Sequence, residues 1–295
     1  MPSTPRLTNL YCKLIFEGEE QFSAVIIEAT IPPVVTVEYP EPGTCRVTLR
    51  ALLNMHPGPL YVQDGIIREV TVEPGEAVVS FTISLDAAVR ATLVVTEGVP
   101  SRVVLRFSRR PLQEFYRDKL IVLDPGHGGS DGGWRGPVNL RERDMAWKTA
   151  RALAQVLEGL KARVIWTRAE QENPSWEERL LKVTTDTFCF ISIHEHGAGD
   201  TGLRGTAVLY NPACRGNEEL AAKVLERIVA RVKIPSRGVM ADGELARLGE
   251  IPGLKLEPVV ITDWVDEGLL RNPYFHQKVA LATAVGVKQY FQRGK

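Results

Sequence analysis

The sequence predicts two architectures in tandem: an all-β, sandwich-like domain, then an α/β domain whose mostly parallel sheet carries helices on both faces. Three observations predict this. Short β-rich runs punctuated by proline and glycine fill the residues up to Phe107. Beyond residue 120 the apolar period changes to alternating strand and helix patterns. A charged stretch from Arg109-Arg110-Pro111 to Lys119 fits neither pattern, which sets the boundary near residues 110 to 118 and assigns residues 1–115 and 116–295 to the two domains.

In the first domain the predicted strands are Phe22 to Ala29, Val34 to Tyr39, Cys45 to Leu49, Ile66 to Val72, Val78 to Leu85, Ala91 to Val95 and Val103 to Phe107. Cys45, Val47 and Leu49 alternate with Arg46, Thr48 and Arg50, as a strand with one wet face requires. About seven such strands suit a β-sandwich.

The second domain opens with a strand from Leu120 to Leu123, then a helix from Glu142 to Leu160. That helix places Ala146, Ala150, Leu153, Leu157 and Leu160 on one stripe. A strand from Val164 to Thr167 precedes a short helix from Trp176 to Val183, which Ser175 and Glu178 open as a capping box. Strands Phe188 to Ile193 and Thr206 to Tyr210 follow, then helix Glu218 to Val232. Strand Pro258 to Thr262 and a helix from Pro273 to Phe291 complete the β-α-β alternation.

Composition narrows the functional classes. A chain of 295 residues with 44% hydrophobic residues can bury a full core. Lys plus Arg equals Asp plus Glu at 36 each, so no global field draws the chain to nucleic acid or an anionic membrane. No apolar run reaches the roughly 18 residues of a membrane span, and the first residues lead into no signal-type apolar segment before Cys12. Cys12, Cys45, Cys189 and Cys214 form no C-x-x-C pair and read as small core residues.

The chemistry gathers in the second domain. Leu120 to Leu123 runs into Asp124-Pro125-Gly126-His127-Gly128-Gly129-Ser130-Asp131-Gly132-Gly133, a loop flexible enough to turn tightly around an imidazole at a strand's carboxyl end. His194 ends the run Phe190 to Ile193 at the same edge, where ligand sites of open α/β sheets lie. Glu142 stands in the first turn of the helix after the glycine loop. Two histidines and one carboxylate form a recognised catalytic zinc set with one position open for water. Read singly, His127 caps a turn, Glu142 favours the positive end of its helix and His194 bonds at a strand end.

These residues closely resemble the zinc-dependent N-acetylmuramoyl-L-alanine amidase family. Leu123 to Gly133 is similar to its Val-Leu-Asp-Pro-Gly-His-Gly-Gly signature, Glu142-Arg143-Asp144 to its Glu-Lys-Asp triplet, and Ser192-Ile193-His194 to its Ser-Ile-His strand end. The Thr167-Arg168 step also looks familial, and the resemblance spans roughly residues 120 to 292. The β half is more weakly similar to the AMIN domains that attach such amidases to cell-wall material.

The resemblance implies Zn2+ on His127, Glu142 and His194 and hydrolysis, by zinc-activated water, of the lactyl amide between N-acetylmuramic acid and L-alanine in peptidoglycan. It also implies an extracytoplasmic or cell-wall location. The family carries a catalytic glutamate in a segment like Pro-Ala-Val-Leu-Val-Glu-x-Gly-Phe-x-Ser-Asn. Here the matching segment is read as Pro258 to Asn272, which offers Asp263 by counting from the strand and Glu267 by counting back from Gly268 and Asn272. Asp124 and Asp131 are candidates to orient the loop or a ligand imidazole, and His196, where the family has small residues, either faces the pocket or solvates a loop. Two other readings stand beside this one: a catalytically impaired amidase fold serving as a cell-wall binding or regulatory module, and a zinc peptidase acting on the peptide stem.

Overall fold

The structure, a computed structural model, describes residues 4–199 and 202–292. The chain divides into two compact units, Met1–Leu112 and Gln113–Lys295.

The first unit is all β. Its strands are β1 (Arg6–Glu17), β2 (Glu20–Ala29), β3 (Val34–Glu41), β4 (Thr44–Arg50), β5 (Leu52–Leu53), β6 (Leu60–Tyr61), β7 (Ile67–Pro74), β8 (Val79–Leu85), β9 (Ala91–Thr96) and β10 (Ser101–Ser108). They form two five-stranded sheets, ordered β5-β1-β2-β10-β9 and β3-β4-β8-β7-β6. The alternating positions of β4, β8 and β10 are the buried ones, among them Val47, Leu49, Phe81, Ile83, Leu105 and Phe107. β1 went unseen in the sequence because it is mostly exposed or half-buried and so shows no apolar alternation. It is held instead by pairing with β2 along its length, around a turn at Gly18 with φ of 59°. Arg109, read as part of a charged linker, is buried and donates to Ser23 Oγ and the Asp64 carbonyl, each at 3.0 Å.

The rest of that linker is a helix, α1 (Arg110–Tyr116), with Pro111 in its first turn, where the missing N–H costs nothing. Then come β11 (Leu120–Pro125), α2 (Glu142–Gly159), β12 (Arg163–Trp166), α3 (Trp176–Leu180), β13 (Thr187–Ile193), β14 (Thr206–Tyr210), α4 (Asn217–Val232), β15 (Ser236–Ala241), β16 (Gly253–Glu257), α5 (Trp264–Leu270) and α6 (Pro273–Gln292). The sheet is mixed, ordered β12-β11-β13-β16-β14-β15, and only the β14–β16 pair is antiparallel. Helix α6 packs against α2 and α4. Val122 and Phe190 pack instead with Leu245 and Leu248 of a short 3-10 turn, and with Trp176 and Leu180 of α3.

One strand expectation is overturned. The last strand is Gly253–Glu257, not Pro258 to Thr262. The latter run is buried, but His196 and Val260 form only an isolated bridge, and Val260 N–H goes to the Asp266 carboxylate rather than a ladder. An apolar run of that length reads as a strand by composition whether or not it pairs. Gly253 and Lys255 meanwhile disguise the segment that does pair. Cys45 and Cys189 are buried, as expected of small core residues, and Cys12 and Cys214 are half-buried. Among the described residues no helix is long and apolar enough to cross a membrane.

Candidate metal centre

Three elements deliver the site. His127 leaves the carboxyl end of β11 with φ of 57°, between Gly126 and Gly128. His194 follows β13, and its N–H is still tied to the Leu256 carbonyl of β16 at 2.9 Å. Glu142 is the first residue of α2, where the positive end of the helix favours a carboxylate.

Their side chains converge. Glu142 Oε2 lies 3.0 Å from His127 Nε2, and Glu142 Oε1 lies 2.9 Å from His194 Nδ1. One nitrogen or oxygen from each of the three falls within 4.8 Å of the others. The backbone N–H of Trp134 also reaches Oε2 at 3.0 Å, and that of Glu195 reaches Oε1 at 3.1 Å. Burial alone would raise the Glu142 carboxyl, but the hydrogen bonds and charges of the two imidazoles win and lower it to about 2. Burial likewise works against protonated His127, and Glu142 and Asp131 outweigh it, raising its pKa.

A shell of fixed groups orients these three. Asp131 Oδ2 stands 2.8 Å from His127 Nδ1, the arrangement that sets the tautomer of a ligand imidazole. The hydrogen bonds of Asp124 go to groups other than the imidazoles. It is buried at the strand ends and accepts from Thr167 Oγ1 at 2.6 Å, Ser192 Oγ at 2.7 Å and Arg179 Nη1 at 2.8 Å. Arg168 Nε donates to the Pro125 carbonyl and Arg179 Nη2 to that of His127, each at 2.8 Å, so two arginines clamp the loop. Close packing requires two of the glycines. A Cβ on Gly126 would sit 2.3 Å from the His194 ring, and one on Gly133 would sit 2.6 Å from both Glu142 and His127. The cluster borders a cavity of about 200 Å³, lined also by Trp176, Arg179 and Lys255.

The two carboxylates expected as a base are engaged elsewhere. Asp263 caps α5, accepting from Val265 N at 2.9 Å and Asp266 N at 3.0 Å, and pairs with Arg204 at 3.1 Å. Glu267 is buried and holds the loop before α2, accepting from Val138 N at 2.8 Å and Leu140 N at 2.9 Å.

A third carboxylate, Glu257, stands next to His194 in the register of the sheet. Glu257 ends β16. In the parallel register of β13 with β16, Ser192 pairs with Lys255 and Ile193 with Leu256, so the next step sets His194 beside Glu257. Lys255, two residues before Glu257 and hence on the same face, lines the cavity with Ser192 and His194. Glu257 Oε2 takes His196 Nδ1 at 3.1 Å and Arg237 Nη1 at 3.0 Å. The usable signal was Pro252 to Glu257, which reproduces the family's Pro-to-Glu spacing once this segment is the strand. Glu195 is a second surprise. It is buried, accepts from Val259 N at 3.3 Å and leaves Oε1 without a partner, and burial, then the Glu142 charge, pushes its carboxyl up.

A mixed α/β sheet with a His-Glu-His cluster at its strand ends carries the donor set of a metal-dependent hydrolase in class. The chain belongs to the N-acetylmuramoyl-L-alanine amidase family, whose model matches residues 121–289. It is 32% identical over 178 residues to a probable cell wall amidase LytH of Staphylococcus epidermidis, covering 59% of each chain. To the Staphylococcus aureus protein of the same name it is 30% identical over 187 residues, covering 62% of this chain and 60% of that one. The match thus spans about three fifths of the curated relatives. Among solved structures, the amidase AmiC2 of Nostoc punctiforme is 26% identical with a TM-score of 0.55, covering 59% of this chain and 98% of that one. An N-acetylmuramoyl-L-alanine amidase from Clostridium difficile 630 is 25% identical with a TM-score of 0.57, covering 61% and 100%.

Proposed function

We propose that this chain is a zinc-dependent amidase that hydrolyses the lactyl amide between N-acetylmuramic acid and L-alanine in peptidoglycan. The observation that carries the reading is the convergence of His127, Glu142 and His194 in a member of this family. The donors fit zinc: two imidazole nitrogens and a carboxylate oxygen, close enough to share one ion, are a known catalytic set. A zinc ion on such a set supplies Lewis acidity, polarising a carbonyl oxygen and making a water nucleophilic near neutral pH.

The protein's own groups do the rest. Asp131 accepts the His127 Nδ1 proton, so Nε2, on the Glu142 side of the ring, is the nitrogen that would hold a metal ion. Glu257 serves as the base in place of Asp263 or Glu267. Both of its contacts fall on Oε2, so Oε1 takes the proton of the attacking water and returns it to the departing alanine nitrogen. The impaired-fold alternative rested on the altered segment around Asp263 and Glu267, and a base at Glu257 removes that ground.

The first unit, whose two sheets we read as an AMIN-like sandwich over residues 1–115, serves as the wall-targeting module. The relatives' cell-wall names support an extracytoplasmic site of action for the whole. The test is digestion of purified peptidoglycan with chelator, and with zinc restored, followed by mass spectrometry of the released ends. New alanine amino termini that appear only with metal are expected. Intact lactyl amides with cut stem peptides would move the activity to a stem peptidase.

A further inference from the structure

The parallel pairing of β14 with β15 is broken at one point. Thr206 pairs with Ser236, but Ala207 pairs with Gly238, so Arg237 is an extra residue in β15. Such a bulge re-aims a side chain, and here Gly238 permits it with φ of 90°, a conformation that other residues rarely adopt. Arg237 reaches across β14 and ends with Nη1 3.0 Å from Glu257 Oε2. The residue of β14 paired with Glu257 is Ala207, which is fully buried and small enough to leave room on that face. The two partners are largely buried, with side chains 10% and 13% exposed.

From this geometry we infer that Arg237 is a positioning residue for Glu257, delivered by the β15 bulge. The inference rests on the reading of Glu257 as the base. The guanidinium fixes one carboxylate oxygen and leaves the other to the water. Without it Glu257 keeps only His196, whose side chain is 31% exposed, as a partner, and its carboxylate regains rotamer freedom. A misplacement near 1 Å costs about 10²-fold in rate.

The test is steady-state kinetics of full-length Arg237→Ala on solubilised muramoyl-peptide, with zinc content measured alongside. A fall in kcat of about 10–100-fold is expected, with KM within about twofold and zinc at the parent level. Added guanidinium should restore part of kcat to Arg237→Ala and none to Glu257→Gln. Arg237→Lys, which keeps the charge and loses the planar fork, should fall between parent and Arg237→Ala, and it carries the test should the alanine variant not fold. Parent-level kcat in Arg237→Ala with an inactive Glu257→Gln overturns this inference and spares the base. An active Glu257→Gln overturns both. A loss of rate that guanidinium does not restore also overturns it, because it assigns Arg237 to the fold alone.

Discussion

Replacing Gly126 by alanine tests whether the His127-Glu142-His194 cluster is held by close packing of strand ends. The added Cβ would lie 2.3 Å from His194 Cε1, 2.5 Å from Nε2 and 2.6 Å from Nδ1. Carbon atoms in contact prefer about 3.5–4.0 Å, so ring and methyl must separate by about 1 Å. Neither backbone yields easily, since Gly126 N–H bonds the Ile193 carbonyl at 2.8 Å and His194 N–H the Leu256 carbonyl at 2.9 Å. The ring therefore turns away from Glu142 Oε1, now 2.9 Å distant. Ligand sets tolerate about 0.5 Å of error, so zinc affinity should fall at least 100-fold, about 2.7 kcal/mol. The metal-free fold should lose about 1–3 kcal/mol from overpacking. Competition against a chelating dye reads the first quantity, and urea unfolding in excess chelator the second. Zinc affinity within threefold of the parent would refute the packing argument.

Further outcomes follow from the same geometry. Glu257→Gln, nearly isosteric, should lose about 10²–10⁴-fold in kcat while keeping zinc, whereas Asp263→Asn should retain activity within a few fold and lose about 1 kcal/mol of stability as a weakened cap; an active Glu257→Gln beside an inactive Asp263→Asn would return the base assignment to Asp263. Asp131→Asn should weaken zinc binding about 10–100-fold, read by the same dye competition. Asp124→Asn breaks a buried pair with Arg179 at 2.8 Å and should cost about 3–5 kcal/mol in urea unfolding near neutral pH. Burial would raise the Asp124 carboxyl, but the Arg179 charge and the bonds from Thr167 and Ser192 lower it below the usual range. A lowered carboxyl stabilises fully above its unfolded pKa near 4 and loses that contribution as pH falls through the folded value. The gap between parent and Asp124→Asn should therefore be constant from pH 5 to 8 and shrink below about pH 4.

The convergence of His127, Glu142 and His194 was legible because these residues contradict their local packing. An imidazole after Phe190–Ile193 and another inside a glycine loop stand out against the apolar pattern, and their occurring together points past a turn or a strand end. Glu142 was legible from its place at the start of an amphipathic helix. Glu257, the base proposed above, was not, because Lys255 interrupts its strand and the following Pro258–Ile261 run is more apolar than the strand itself. That run is buried without joining the sheet: its amides donate to Oε2 of Glu195 and to the Asp266 carboxylate. Single-sequence patterning detects burial and cannot tell a paired strand from an unpaired buried segment. Arg237 was hidden for a related reason, since a bulge places a side chain out of the period that sequence reading relies on.

The parts that were hardest to read are those that fix the geometry. Asp124 ties β11 to β13 through Ser192 and to the segment after β12 through Thr167, and it anchors α3 through Arg179. Arg168 and Arg179 then take up carbonyls of Pro125 and His127 that a tight turn would otherwise leave unpaired. Each tie joins residues more than 40 positions apart, so none has a local sequence signature. They hold His127 and His194 in place from the strand side, while Glu142 is held by the Trp134 and Glu195 amides. It follows that ties between residues distant in sequence fix the geometry in which the three donors meet.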